Sequence, residues 1–445
     1  VDPAWAGGAA VLSMKYLVGA LLSLPFIFAS FLRSFDALFF SPNLNAFAPP
    51  VVLYGVFFIW SLAVVVLTAR RPLQGTMVGV LAFAALKQYA DTIPRPMVGP
   101  PQVAMVTGAN SGIGFGVSKE LALQGHTVIM ACRRLDRCKA AAESIAASSS
   151  AIDPSQLVPL GDFDLGSLLK LKTFLAELHS TLAARARTSN LDEVRVDLLI
   201  ANAGFVPVGN TTSHDGWEAA LGAMHLGHFS LIEWMLEAQI LTQMSTLVMV
   251  SSDAMRFGSF HDSLFQGDGE GDLRGEYTIG CSEPNPLCSP KQVEGMLPLS
   301  ALFPHGVTLG AYGRAKLANT LHARELQRRG LVRRATAVHP GMVFTNIIEL
   351  SQGDELQKFL SPLFLRPTEV AARVVLRAAT ESLDHSYPPD TRDPHLHFFG
   401  GRGDLLGPES LDFGSVDLLD RLARRLWAVT EGHLGQQVQL QAHDV

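Results

Sequence analysis

Tyr312 and Lys316 stand four residues apart, downstream of Ser252 and far downstream of a glycine-rich run, Thr107-Gly-Ala-Asn-Ser-Gly-Ile-Gly114. On a helix, residues spaced i,i+4 share one face, so the lysine ammonium can sit beside the tyrosine phenol. A free tyrosine gives up its proton near pH ~10. A positive charge about 4 Å away, at an effective dielectric of about 20, favours the phenolate by about 4 kcal/mol before desolvation is subtracted. That pairing predicts a general acid/base, with Ser252 holding a substrate oxygen by a hydrogen bond. The glycine run predicts a dinucleotide cradle, because Gly108, Gly112 and Gly114 let backbone approach a pyrophosphate. Asn110, Ser111 and Ile113 then present free N–H groups at the positive start of a helix. Proton transfer beside a nucleotide is the chemistry of an oxidoreductase.

Strands and helices must bring these pieces together. A strand over Gln102 to Thr107 runs into the glycines, and a helix from Ile113 to Gln124 follows. Further short apolar or β-branched runs at Thr127 to Ala131, Val196 to Ala201, Thr246 to Ser251 and Thr336 to His339 alternate with amphipathic helices such as Leu317 to Arg329. This alternation predicts an α/β fold, a Rossmann-type doubly wound parallel sheet with helices on both faces, over residues 102–435. The tail is 436–445. The stretch 253–309, rich in Gly, Pro, Ser and acidic residues, interrupts the pattern between two catalytic positions and reads either as a substrate-side lid or as a surface loop.

The remaining residues are unusually apolar. Across 445 residues the mean hydropathy is +0.23 with 17% charged residues, and the excess is concentrated in the first ninety. Val51 to Ala69 is uncharged and ends at Arg70-Arg71, long enough to cross a hydrocarbon core as a helix. Tyr16 to Leu32, bracketed by Lys15 and Arg33, reads either as a second span or as a cleaved signal sequence. Gly75 to Leu86 is too short to span and suits the interface. An α-helical transmembrane hairpin is therefore expected within 16–93, after a tail at 1–15 in which Met14 is a candidate start. The alternative is a buried apolar hairpin in a soluble protein. A proline-rich linker at 94–101 follows. Arg70, Arg71, Lys87 and Arg95 place the catalytic domain on the cytosolic side.

A net charge of −6 without a lysine or arginine tract speaks against nucleic acid as a partner. The four cysteines, Cys132, Cys138, Cys281 and Cys288, lack metal-ligand spacing and read as reduced thiols, with a Cys281–Cys288 pair as the alternative. No metal site is expected.

The chain resembles the short-chain dehydrogenase/reductases, in particular the retinol dehydrogenase and WW-domain oxidoreductase branch. The likeness rests on the glycine run, Ala131-Cys-Arg133, Asp164-Leu165, Asn202-Ala-Gly204, His225-Leu-Gly-His-Phe229, Val250-Ser-Ser252, Tyr312-Gly-Arg-Ala-Lys316, His339-Pro-Gly-Met-Val-Phe-Thr345 and Ala423-Arg-Arg-Leu-Trp427. It implies Ser252, Tyr312 and Lys316 as the catalytic group, with Tyr312 and Lys316 also touching the cofactor and Lys316 gripping the nicotinamide ribose. It further implies an adenine contact at Asp164 and Leu165. Asn202, Ala203 and Gly204 would lie beneath the nicotinamide-side ribose, and Pro340, Gly341, Val343 and Thr345 around the carboxamide.

Where an NAD enzyme places an acid after the second strand, this chain has Cys132 and then Arg133, which suits a 2′-phosphate and predicts NADP(H). The competing reading of Arg133 is a solvated residue at a helix start. One departure stands out: the family has Asn before His-Leu-Gly-His-Phe, where this chain has Met224. The Asn helps hold a relay water, and a thioether donates no hydrogen bond.

The expected function is oxidoreduction of a lipophilic alcohol or carbonyl, such as a retinoid, steroid or other lipid, beside a bilayer. The resemblance suggests the endoplasmic reticulum, with a mitochondrial or other organelle membrane as alternatives. A homodimer or membrane-complex partners are open, as is a role as a low-turnover subunit of a membrane assembly that retains the fold and its nucleotide.

Overall fold

The computed structural model describes residues 91–100, 102–189, 194–207, 212–257, 309–341, 343, 366–380, 398–399, 405–406 and 416–443. Among them no helix is long and apolar enough to cross a membrane. The apolar runs 16–32, 51–69 and 75–86 lie outside the described residues, as do most of 253–309, Thr345, Cys281 and Cys288.

In chain order the domain comprises β1 (Val103–Thr107), α1 (Gly112–Leu123), β2 (Thr127–Ala131), α2 (Leu135–Ala147), β3 (Leu157–Leu160), α3 (Leu168–Ser189) and β4 (Leu198–Ala201). A π-helical coil (Leu221–Gly227) then leads into α4 (His228–Glu237), followed by β5 (Thr246–Val250), α5 (Leu309–Arg329) and β6 (Arg334–Val338). The order closes with α6 (Thr368–Thr380), β7 (Phe398–Phe399), β8 (Leu405–Leu406) and α7 (Val416–His443). The sheet order is β3-β2-β1-β4-β5-β6-β7-β8, parallel except for the last pair. This is the doubly wound arrangement, and its order reverses between β1 and β4, where a crevice opens at the carboxyl ends.

Strand residues alternate between two cores. Met105, Ile129, Leu199, Leu247 and Met249 join α3, α4, α5 and α7 on one face. Ala104, Val106, Val128, Ile200 and Val248 join α1, α2 and α6 on the other. Both faces being covered explains why the strands read as continuous apolar runs. α1 stops where Gly125, at φ 85°, takes the left-handed cap, with His126 N–H donating back to Leu121.

Several boundaries differ from the sequence reading: β4 starts at Leu198 instead of Val196, β5 ends at Val250 instead of Ser251, and β6 runs Arg334–Val338 instead of Thr336 to His339. α5 starts at Leu309, ahead of the packing stretch read from Leu317, and carries Tyr312 and Lys316 in its first turns, on one helix as their spacing predicts. α7 continues to His443, past the expected domain end at 435. Its docking rests on Asp420, whose Oδ1 accepts from Nε of the buried Arg324 at 3.0 Å, and on Arg329 stacked 4.1 Å from the Trp427 ring centroid.

Cys132 and Cys138 are joined by a disulfide, which corrects their reading as reduced thiols. The first turn of α2 folds back over the end of β2 and brings their Cα atoms to 5.8 Å, within the range a disulfide requires.

Candidate active site

Thr107 anchors the crevice. Its side chain is fully buried, and its Oγ1 accepts from the backbone N–H groups of Asn202 and Ala203, both at 2.9 Å. With those lone pairs engaged, its hydroxyl donates to Nε2 of His228 at 3.0 Å, and His228 donates from Nδ1 to the Met224 carbonyl at 2.8 Å. Burial holds His228 neutral, pushed down to about 4. Thr107 thus ties the glycine turn to the Asn202–Gly204 turn, and its side chain faces the protein frame. His228 was legible in sequence only as part of a motif, not as the residue that completes this tie.

The glycine turn has the geometry of an anion cradle. Gly108 and Gly112 have φ of 68° and 57°, and a Cβ on Gly114 would stand 2.3 Å from the Gly108 carbonyl oxygen. α1 begins at Ser111 without a side-chain cap and without an acidic residue in its first turn. Its N–H groups are left for an external anion, so the turn fits a dinucleotide pyrophosphate. Asn110 and Ile113 flank this turn half-buried.

Arg133 is exposed after β2, within the Cys132–Cys138 loop, while the neighbouring Arg134 is engaged by Asp136. Asp164 follows β3 at the same edge. Its Oδ1 accepts from Gly166 N–H at 3.1 Å, and its Oδ2 lies 3.6 Å from His214 and 3.5 Å from Lys170. Leu165 beside it is buried against Gly227.

The catalytic group assembles at the ends of β5 and β6. Ser252 follows β5; its Oγ accepts from Ala254 N–H at 3.2 Å, leaving its hydroxyl proton for Tyr312. His339 Nδ1 accepts from Asp253 N–H at 3.2 Å and steadies that segment against β6. Ser251, absent from the sequence-predicted set, bonds the Lys316 carbonyl at 2.8 Å and Thr320 at 2.9 Å, fastening α5 to β5. Lys316 donates from Nζ to the Val250 carbonyl at 2.7 Å and stands 5.6 Å from the Tyr312 ring centroid.

The expected lowering of the tyrosine does not occur in the protein alone. Burial pushes Tyr312 up to about 12, opposed by its bond to Ser252, and burial brings Lys316 down to about 8. Desolvation is the leading cause in both groups because both are enclosed. Met224, fully buried on the π-helical coil, lies with Lys316 beneath Gly204.

Pro340 and Gly341 follow β6 at the same edge. The Pro340 carbonyl accepts from Nη1 of the buried Arg366 at 2.9 Å, and Val343 bridges Arg366 in parallel. Ser252, Tyr312, Lys316, the glycine turn, Asn202 to Gly204 and Pro340 to Gly341 thus share the carboxyl edge of the sheet. Among the described residues no metal-binding cluster of His, Cys, Asp or Glu occurs.

Residues 102–266 match the family model described as short chain dehydrogenase. Retinol dehydrogenase 14 of Mus musculus is 30% identical over 344 residues, 75% of this chain and 86% of that relative. Retinol dehydrogenase 13 of Homo sapiens is 29% identical over 81% of this chain and 94% of its own length. The WW domain-containing oxidoreductase of Danio rerio is 34% identical over 55% of this chain and 50% of its own. With the glycine cradle, the Ser252–Tyr312–Lys316 group and this extent of likeness together, the chain belongs to the short-chain dehydrogenase family, in its retinol dehydrogenase-like branch.

Proposed function

We propose that this oxidoreductase is membrane-anchored and NADP(H)-dependent, and that it interconverts a lipophilic alcohol with its aldehyde or ketone. The observation that carries the reading is Tyr312 held between Ser252 and Lys316 on the same sheet edge as the glycine cradle. The cradle and the start of α1 would hold the pyrophosphate, Arg133 the 2′-phosphate, Asp164 the adenine side, and Asn202 to Gly204 with Lys316 the nicotinamide ribose. NADPH, when bound, supplies hydride to the carbonyl carbon and leaves a cationic ring.

Tyr312 rests protonated, the form that gives its proton to a carbonyl oxygen during reduction. Ser252 donates a hydrogen bond that stabilises the phenolate left behind, and the Lys316 charge adds to it. Alcohol oxidation needs the phenolate at the start, so it draws on that same support. The apolar runs before residue 90 favour a substrate that partitions into lipid, as do relatives named as retinol dehydrogenases. The endoplasmic reticulum with a cytosolic catalytic domain is the location this reading favours.

A second reading, a low-turnover subunit of a membrane assembly, is favoured by Met224 beside Lys316. The full chain in detergent, assayed with NADPH and NADH against retinoid, steroid and fatty aldehydes and ketones, separates the two. Cofactor oxidation that disappears in Tyr312→Phe supports the enzyme. No turnover with any of them, together with fixed-stoichiometry co-purification with a large membrane complex, overturns it.

A further inference from the structure

The stretch before β1 is fastened to the domain at Asp91, Ile93, Arg95 and Val98. Asp91 Oδ1 lies 3.6 Å from Nε of Arg366, the arginine that also holds the Pro340 carbonyl. Ile93 is buried, and its carbonyl accepts from Arg373 on α6 at 3.3 Å. Arg95 pairs with Glu120 on α1 at 2.7 Å, and Val98 N–H donates to Gln124 just past α1 at 2.9 Å. Met97, Val98 and Gly99 then border a cavity with Arg333, Arg334 and Thr380, at the opposite edge of the sheet.

These contacts give the strap a direction. α1 and α6 both start at the carboxyl edge of the strands and end at the amino edge, and the strap follows the groove between them the same way. Asp91 to Val98 spans seven residue steps, at most roughly 23 Å, enough to run the length of about 20 Å expected for the 13 residues of α6. The chain therefore enters the domain beside Pro340 and Arg366, at the active-site edge, and reaches β1 only after crossing to the far edge. The apolar run Gly75 to Leu86 ends five residues before Asp91, a tether of at most roughly 17 Å.

We propose that the domain docks on a lipid bilayer with the carboxyl edge of its sheet facing the membrane, so that substrate reaches Tyr312 from the lipid side. This rests on the membrane-anchored reading above and adds its orientation. A tether of that length, leaving from the active-site edge, brings this edge to the interface first. Leu135, Leu169 and Phe205, three of the five exposed large apolar side chains among the described residues, also lie on this edge. Met97 and Met244 sit at the far one.

The test uses the full chain carrying Cys281→Ala and Cys288→Ala, with Leu169→Cys, Phe205→Cys or Met244→Cys labelled by an environment-sensitive dye. Each is reconstituted into phosphatidylcholine vesicles with and without nitroxide-headgroup lipid. Quenching by at least half at 169 and 205, with less than a tenth at 244, is the expected result. Quenching strongest at 244, or equal at all three, overturns the orientation while leaving the anchor and the chemistry standing. Failure to float with the vesicles overturns the anchor itself, and turnover of a water-soluble aldehyde in detergent shows separately whether the enzyme reading survives.

Discussion

The Met224 thioether and the Lys316 ammonium share one small space under Gly204: a Cβ built on that glycine would stand 3.0 Å from Sδ and 3.3 Å from Nζ. The lysine's bond to Val250 is already made, and its neighbour on the Gly204 side is a thioether, a weak acceptor. Reprotonation of Tyr312 after each turnover must pass this point or go around it. Met224→Asn should raise kcat for carbonyl reduction about three- to tenfold with KM nearly unchanged, a gain of about 1 kcal/mol in the barrier. Steady-state kinetics in H2O and D2O test it; an unchanged kcat and isotope effect would mean that the relay does not run past Lys316.

Tyr312→Phe should cost about 10²–10⁴-fold in kcat, the usual weight of a positioned acid/base, while cofactor binding measured by fluorescence is retained. Because burial holds the phenol up to about 12, the proton-donating form dominates through neutral pH. Carbonyl reduction should stay level there and fall only in alkali, whereas alcohol oxidation should climb with pH. Opposite slopes in the two directions, lost together in the phenylalanine variant, are the expected signature. Parallel slopes would assign the proton to another group.

Arg133 projects from the Cys132–Cys138 loop beyond the reach of the Arg134–Asp136 pair. If it binds a 2′-phosphate, Arg133→Ala should raise the Kd for NADPH about ten- to a hundredfold, on the scale of about 1.5–3 kcal/mol for a charge-assisted hydrogen bond, and leave NADH nearly unaffected. Titration of both cofactors by calorimetry reads this directly. Equal losses for the two would reduce Arg133 to a structural role.

His322 is buried against Phe229 and Trp427, ring centroids 4.7 and 5.4 Å away, and neither ring nitrogen has a hydrogen-bond partner among the described residues. Burial holds it well below the ordinary histidine range, and His225 is pushed down to about 3 and His228 to about 4 by the same cause. Below pH ~6.5 the unfolded chain takes up protons that the folded one refuses, so stability falls as the solution is acidified. His322→Phe removes one such site and an unpaired polar group. It should raise stability by about 1–2 kcal/mol at neutral pH and by more at pH 5. Urea midpoints across that range decide it, and a destabilised variant at both pH values would show that the imidazole is satisfied.

The parts legible in the sequence are those that local patterning dictates. Val103 to Thr107 followed by Gly108 and Gly112 announces a strand, a turn and a helix start, and the structure keeps all three. The four-residue spacing of Tyr312 and Lys316 likewise survives on α5. What was hidden depends on contacts between distant segments. Nothing near Thr107 in the chain says that its hydroxyl meets His228, or that Ser251 fastens α5. The tyrosine's protonation state also escaped, because a nearby ammonium can be read from spacing while the enclosure of the phenol cannot. Cys132 and Cys138 looked like separate thiols until the backbone of α2 folded one over the other.

The wide coil at Leu221–Gly227 takes in one residue more per hydrogen-bonded ring than the helix it feeds. That surplus rotates everything after it by about 100°, a little over a quarter of a revolution, which is how His228 comes to point at Thr107 while His225 points at Thr430 on α7. Removing a single residue there would leave composition and hydropathy almost untouched. It would nonetheless swing the imidazole off the threonine and remove one of the ties that hold Thr107, and substitution is constrained there too, since a Cβ on Gly227 would stand 2.3 Å from the Leu165 carbonyl oxygen.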